Sequence, residues 1–360
     1  MNEGQLLTGP VEIVGTGLLG TSIALALRRA GIDVLLSDTS SRHLRTATGL
    51  GAGRPRTAED RPQLVVVAVP PDLLGSVIAE ALEATTGIEG AVVTDVGSVK
   101  TAPLGELAGH PELSRYVGSH PMAGSERSGP LAASAALFDG RPWAVTPHPA
   151  ADADAVAVVE ELARVCGAVA VRLSPAEHDR AVARISHVPH LLAALMAGRL
   201  ADAPTDHLAL SGQGVRDVTR VAAGSPALYG QIVAGNAAAV EELLVEVRAD
   251  LDRLIAAVGA GDRGGLEGLL AQGVAGTRAI PGKHGGPVRP TRSVFVSVPD
   301  HPGELARLFA DAGESGVNIE DVHIDHDPGR PVGLVELVVD DTRAEHLLGS
   351  LESRGWVTHR

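Results

Sequence analysis

The stretch Val11–Ala24, VEIVGTGLLGTSIA, constrains the fold more than any other. A short apolar run (Val11, Ile13, Val14) enters Gly15, Gly17 and Gly20, and an apolar helical pattern follows. This is G-x-G-x-x-G between a strand and a helix. Gly15 permits the tight turn, Gly17 lets a pyrophosphate approach the backbone, and Gly20 lets helix and strand pack closely. The free N–H groups and positive dipole end of the helix then face the phosphates. Gly15, Gly17, Leu18, Leu19 and Gly20 are therefore the expected dinucleotide contacts. A tight turn also needs glycine for steric reasons alone, so the motif draws its weight from its context.

The next strand, Val34–Ser37, ends at Asp38, near the spacing of about 20 residues at which an acid grips the adenosine ribose. A carboxylate there favours NAD over NADP, although Ser40, Ser41 and Arg42 follow and suit a ribose phosphate. The competing reading of Asp38 is a helix cap. Gln63–Pro71 is a near-continuous apolar run, as in a strand buried on both faces, and its end, Val69–Pro70, would lie beside the cofactor. Ala91–Asp95 is a further strand and opens into Val96–Lys100, VGSVK. Tyr116–Ser119 leads into His120–Gly129, HPMAGSERSG, read as a Gly- and Ser-rich loop. Trp143–Thr146 and Ala168–Leu173 complete the set. Strands alternating with helical segments predict a doubly wound α/β sheet, with ligands beyond the carboxyl ends of its strands.

Two residues at those ends have the chemistry of a site. His120 can exchange a proton near neutral pH, and Ser98 can hydrogen-bond a substrate hydroxyl. Each also has a plain structural reading, as an incidental loop histidine and a helix cap.

From about Pro175 to Gly259 the pattern is Ala/Leu/Val-rich and helical. Two segments interrupt it: Glu177-His178-Asp179 leading to Ser186-His187-Val188-Pro189-His190, and Gly214–Arg220, GVRDVTR. His187 and His190 share a helix face at i, i+3. With His178 they resemble metal ligands, but no acidic or cysteine partner stands at a suggestive spacing, so no metal is expected. Arg220 reads as a helix cap or a partner of Asp217, or as a bidentate carboxylate clamp.

The bulk numbers narrow the classes. Aromatic residues are 2 % of 360 and the formal net charge is −14, which argues against nucleic-acid binding. An anionic substrate would then need a locally basic pocket, for which Lys100, Arg216 and Arg220 are candidates. Cys166 is the single cysteine, so no disulfide forms within the chain, which fits a reducing, cytoplasmic setting. The first residues lack a signal-peptide pattern, and no membrane span is expected.

Together GTGLLG, AVPP, DVGSVK, HPMAGSERSG, HD…SHVPH, and RDVTR followed by SPALYGQIVAGN resemble the prephenate/arogenate dehydrogenases of tyrosine biosynthesis. The resemblance covers nearly the whole chain. One departure is Leu228-Tyr229, where many members have a tryptophan. It implies oxidative decarboxylation with NAD: a hydride leaves the ring carbon bearing the 4-hydroxyl, and the ring carboxylate leaves as carbon dioxide. It implies His120 as the group that takes the hydroxyl proton and Ser98 as the group orienting the hydroxyl and the His120 ring nitrogen. Arg220 would hold the side-chain carboxylate. His190 and His187 would line the pocket, with Ser125, Glu126 and Arg127 at its rim. It also implies a homodimer built on the helical domain. Prephenate and arogenate both fit, as does another NAD(P)-dependent dehydrogenase with a helical second domain.

Arg278–Arg292 is rich in proline and glycine and reads as a boundary. Beyond it the order βαββαβ predicts a ferredoxin-like fold. Asp300-His301-Pro302-Gly303, with Gly316–Ile319 later, resembles an ACT domain, which implies an amino-acid effector such as tyrosine at Asp300, Gly303, Asn318 and Ile319 across a domain pair. His323, Asp325, His326 and Asp327 read as a solvated hairpin turn rather than a metal cluster. The expected organisation is thus a dinucleotide-binding domain over 1–174, a helical domain over 175–280, a linker over 281–292 and the ACT domain over 293–360.

Overall fold

A computed structural model describes residues 6–124, 127–281, 290–326 and 332–359. Contacts divide the chain into two compact units, Met1–Arg253 and Leu254–Arg360.

The first unit opens with β1 (Val11–Val14), α1 (Leu18–Arg29), β2 (Val34–Ser37), α2 (Ser41–Gly49), β3 (Arg54–Pro55), β4 (Leu64–Val67), α3 (Leu74–Ala84), β5 (Val92–Asp95) and α4 (Thr101–Glu106). The five strands form a parallel sheet in the order β3-β2-β1-β4-β5. Alternate residues of one strand serve different cores. Leu64 and Val66 pack with Ile13, Ile23 and Leu27, whereas Val65 and Val67 pack with Leu74, Ile78 and Tyr116 on the other face. That two-sided burial is why β4 is apolar throughout.

Next come β6 (Gly118–Pro121), β7 (Pro142–Thr146), α5 (Ala153–Val165) and β8 (Val169–Arg172). Contrary to the expectation for Trp143–Thr146 and Ala168–Leu173, these strands do not extend the first sheet; they form a three-stranded sheet of their own, with β6 antiparallel to β7 and β7 parallel to β8. A lone bridge, Val93 to Tyr116, joins β5 to the approach of β6. Beyond it side chains take the place of a backbone ladder. Ser119 Oγ donates to the Asp95 carbonyl at 2.8 Å, and Lys100 Nζ donates to the Ser119 carbonyl at 2.7 Å. With those carbonyls satisfied, nothing forces the two strands into register.

The helical part holds α6 (Pro175–Val182), a π turn (Ala183–His187), α7 (Val188–Gly198), α8 (Thr205–Leu208), α9 (Gln213–Thr219), α10 (Pro226–Gly235) and the start of α11 (Ala237–Ala260). Ser174 and Glu177 close a capping box at the start of α6, with Pro175 at its first position. Ala183, Val188 and Val240 centre a small core with Leu191, Val233 and Leu243 packed around it. The π turn precedes Pro189, which has no N–H for an ordinary helical bond.

The second unit continues through α12 (Arg263–Ala279) to β9 (Thr291–Pro299), α13 (Glu304–Glu314), β10 (Ile319–His326), β11 (Val332–Asp340), α14 (Ala344–Ser353) and β12 (Val357–His359). The sheet order β10-β11-β9-β12, antiparallel throughout, is that of the expected βαββαβ fold. Val294, Val296, Val335, Leu337, Leu308 and Leu351 form its core. His323, Asp325 and His326 lie on β10, not in a hairpin turn, because β10 pairs with β11 as far as His326↔Gly333. Asp327 lies outside the described residues. His323 Nδ1 sits 3.4 Å from Glu336, and no cluster of three metal-ligating side chains occurs among the described residues.

Candidate active site

The glycine turn is built as its spacing requires. Gly15 has φ 98°, and a Cβ there would meet the Ala68 carbonyl oxygen at 2.4 Å. A Cβ on Gly20 would fall 1.9 Å from the Gly15 carbonyl oxygen, while at Gly17 it would meet nothing within 4 Å. Gly15 and Gly20 therefore serve the fold, and the space above Gly17 is open. Leu18 and Leu19 begin α1, whose N-terminus has no side-chain cap, so its N–H groups stay available to an anion. Val69 borders Gly15, its Cγ1 standing 3.3 Å from where a Gly15 Cβ would be. Pro70 follows on the surface.

Asp38 holds this turn closed. One carboxylate oxygen accepts from the Thr16 N–H and hydroxyl at 2.6 and 2.7 Å, and the other accepts the Ser40 N–H at 2.6 Å. The cap of α2 is Ser40, which accepts the His43 N–H, so Asp38 is not needed for it. Burial would raise the Asp38 carboxyl, but the bonds from Thr16 and Ser40 outweigh it and hold it below the usual range. It stays an ionised acceptor beside the open space.

His120 lies on β6, paired with Ala144, rather than in a loop. The approach to β6 bridges Val93, so His120 sits beyond the carboxyl end of β5, as does the turn that carries Ser98. His120 Nδ1 is 3.0 Å from His178 Nε2, and His178 Nδ1 is 2.8 Å from Asp179 Oδ1. The fixed partner of the His120 ring is therefore His178, where Ser98 was expected. Burial and the neighbouring His178, Lys100 and His187 push the His120 pKa well below the usual imidazole value, so the ring is neutral at neutral pH.

Asp179 also accepts the backbone N–H groups of Lys100 and Thr101, at 2.9 and 2.8 Å, and so ties α6 to the GSVK turn. Burial would raise its carboxyl, but bonds from His178, Thr101 and Lys100 outweigh that and keep it ionised. Asn236 donates to the Asp179 carbonyl at 2.8 Å and stands 3.2 Å from His187 Nδ1. Burial, with His178 beside it, outweighs the pull of Asp179 and lowers the His187 pKa to about 4, so this ring is neutral.

Lys100 does not face a pocket. It is 1 % exposed, donates to Asp95, and fixes the Ser119 carbonyl, so it supplies no open basic field. Asp95 is fully buried and also accepts from the Tyr116 hydroxyl and the Gly97 N–H, at 2.8 and 2.9 Å. This ion pair welds the end of β5 to β6 just before His120.

His190, on α7, stacks on Tyr229 of α10 with ring centroids 3.4 Å apart and planes 6° apart. Its buried Nδ1 has no partner among the described residues. Arg220 opens the 3₁₀ turn Arg220–Ala223, which packs on α7, and a Cβ on the following Gly224 would lie 3.0 Å from His190 Cε1. Arg216 and Arg220 are exposed and make no ion pair among the described residues; Asp217 accepts instead from Gln213 at 2.8 Å. Arg127 is exposed. Ser125 and Glu126 lie outside the described residues.

Asp179, Asn236 and Tyr229 join this candidate site although sequence spacing assigns none of them a role in it. The adjacent pair His178-Asp179 was the available signal.

In the second unit, Gly303 caps α13 with φ 96° and Asp300 precedes it. Asn318 donates to Glu320, and Ile319 begins β10. The ladder pairs Pro299 with Val332 but Ile319 with Val339, so these two pairs lie at opposite ends of one sheet. About seven residues of strand separate them, roughly 24 Å.

Comparison with known proteins gives the family. Residues 23–172 match the family described as "Prephenate dehydrogenase, nucleotide-binding domain", and residues 174–272 match "Prephenate dehydrogenase, dimerization domain". A probable prephenate dehydrogenase of Streptomyces niveus, NovF, is 39 % identical over 96 % of this chain and 98 % of its own length. The prephenate dehydrogenase of Bacillus subtilis is 30 % identical, covering 87 % of each chain. Among solved structures, Aquifex aeolicus prephenate dehydrogenase in complex with hydroxyphenyl propionate and NAD+ superposes with a TM-score of 0.68. It is 26 % identical over 75 % of this chain and 97 % of that one. A Synechocystis arogenate dehydrogenase gives 0.63 and 28 % identity, over 74 % and 98 %.

Proposed function

This chain belongs to the prephenate dehydrogenase family, and on that premise we propose that it oxidatively decarboxylates prephenate to 4-hydroxyphenylpyruvate with NAD, using His120 as its base. The observation that carries the reading is a neutral imidazole beyond the end of β5, with one ring nitrogen committed to His178 and the other without a partner among the described residues.

The residues present fit the cofactor. The space over Gly17, the uncapped start of α1 and the ionised Asp38 suit a pyrophosphate and an unphosphorylated ribose. When bound, NAD supplies the hydride acceptor. His120 Nε2 takes the 4-hydroxyl proton as the hydride leaves that carbon. The bond to the ring carboxylate breaks, its electron pair enters the ring, and carbon dioxide departs. The proton returns to the phenolate oxygen. Ser98 directs the hydroxyl, and Arg220 holds the side-chain carboxylate by a bidentate contact. His190 Nδ1, orphaned without ligand, gains its partner when the anion arrives. His187 and Arg216 complete the surroundings, with Arg127 at the rim. Arogenate, named in the Synechocystis neighbour, is the second reading.

The assembly is a homodimer built on the helical part. The matched description of 174–272 supports this, as do exposed apolar side chains such as Leu195 and Met196 on α7. The tail binds an amino acid such as tyrosine. Because Asp300 and Gly303 stand at the opposite end of the sheet from Asn318 and Ile319, a site using all four takes one pair from each of two domains. The lone Cys166 is buried, its thiol pushed up to about 12, which suits a reducing, cytoplasmic setting. No helix among the described residues is long and apolar enough to cross a membrane.

The test is purified protein with prephenate and arogenate, each crossed with NAD and NADP, following reduced cofactor and carbon dioxide. His120→Asn should lower turnover at least about 10²-fold while NAD still binds. Unchanged turnover by this variant removes the mechanism.

A further inference from the structure

Asp179 and His178 join His120 in a line of three side chains, of which the reaction above uses only His120. His178 is 1 % exposed and lies at the first turn of α6, held there by the Ser174–Glu177 capping box. Asp179 is fixed by two backbone N–H groups from the neighbouring turn. Neither side chain has room to turn away, so the contacts of 2.8 and 3.0 Å along the line dictate where protons sit.

The logic runs from the carboxylate outward. An ionised carboxylate only accepts, so His178 Nδ1 carries a hydrogen and donates it to Asp179. A His178 that carries only this hydrogen presents a bare Nε2. The His120 nitrogen facing it, Nδ1, must therefore carry the hydrogen of that bond, and the remaining nitrogen, Nε2, is bare. In water a free imidazole prefers the opposite tautomer, with its hydrogen on Nε2, which cannot take a proton there. The bond made by one ring nitrogen sets the state of the other. We propose that Asp179 and His178 are a positioning pair that fixes His120 as its Nδ1–H tautomer and leaves Nε2 as the base.

This rests on the reading of His120 as the base, and it adds a second function for the line. When Nε2 takes the substrate proton, the imidazolium keeps donating from Nδ1 to His178, and the Asp179 carboxylate stands behind it as counter-charge. No proton needs to leave the line. The groups facing His120 are His178 from α6, Lys100 from the turn after β5 and His187 from the π turn. Lys100 is bonded to Asp95 and His187 stands beside Asn236, so His178 is the one whose lone pair meets the ring.

The experiment is nitrogen NMR on the full chain labelled with ¹⁵N-histidine, His120 being assigned by difference from His120→Asn. At pH 7.5 its Nδ1 should be protonated and its Nε2 bare. A hydrogen on His120 Nε2 overturns the proposal, because His178 would then be the donor across the 3.0 Å contact. Kinetics give the second arm. His178→Leu offers no acceptor and should lower kcat about 10- to 100-fold with KM within about twofold. His178→Gln, whose carbonyl can accept from Nδ1–H, should recover most of that loss. Equal losses in the two variants would make position 178 a packing site and sink the proposal. Should His120→Asn turn over normally while the NMR still shows bare Nε2, the base assignment fails and the tautomer assignment stands.

Discussion

In the proposed mechanism His120 acts in its neutral form, so its environment sets the pH range of the enzyme. Burial, His178, Lys100 and His187 all lower its pKa, and none of the three neighbours raises it. A base with a lowered pKa stays unprotonated to lower pH, so the acid limb of kcat/KM should fall below about 6.5, the ordinary value for imidazole. A profile of kcat/KM against pH from 4.5 to 8.5 checks this; a midpoint at or above that value would contradict the burial seen here. Stability has the same sign. His120, His187 and His190 all have folded pKa values below the unfolded one, so the unfolded chain binds more protons in acid. The stability they contribute is present above about pH 6.5 and is lost as pH falls through their folded values, to about 4 for His187. Urea midpoints measured from pH 7.5 down to 4 should decline steadily, and His187→Asn should flatten the lower part of that decline.

Within the β1–α1 element, the glycines separate packing from binding. A Cβ on Gly20 would sit 1.9 Å from a backbone oxygen, so Gly20→Ala must push α1 away from β1 and should lower the melting temperature by several degrees or prevent folding. Gly17, with ordinary φ of −73° and open space around it, should accept alanine with the melting temperature unchanged. Its new methyl would occupy the phosphate approach, so Gly17→Ala should weaken NAD at least about tenfold by titration calorimetry. Undiminished NAD affinity would place the pyrophosphate elsewhere. This element was legible because glycine spacing is a local steric code. The strand bearing His120 was not: from His120 onward, Pro121 and Gly124 read as loop, and only pairing with β7 makes it a strand. The separate three-stranded sheet was illegible for a related reason. It exists because Lys100 and Ser119 bond across a gap that a backbone ladder would otherwise close. Lys100 looked like a source of open positive charge, and its partner Asp95 is five residues away in sequence, yet burial of the pair shows only in three dimensions. The His178-Asp179 doublet was visible, but its meaning depends on a ring 58 residues distant.

At the scale of the whole molecule, catalysis and the tail are separable in chain terms. The Aquifex structure is matched over 97 % of its own length by only 75 % of this chain, and the two family matches end at residue 272. Every side chain placed in the catalytic reading, from Gly15 to Asn236, lies in the first compact unit. The βαββαβ part, by contrast, has its own closed core of Val294, Val335, Leu337, Leu347 and Trp356. A chain ending at Ile280 should therefore keep kcat and KM within about threefold of the full chain, since it loses no group that touches substrate or cofactor. If the tail carries the effector, tyrosine added to the full chain should change kcat/KM, and the shortened chain should show no response at all. The coupling must also be reciprocal: NAD and substrate should shift tyrosine affinity by the factor by which tyrosine shifts theirs. Calorimetry with tyrosine in the presence and absence of NAD measures that factor directly. A shortened chain that still responds to tyrosine would move the effector site out of the tail and onto the catalytic body.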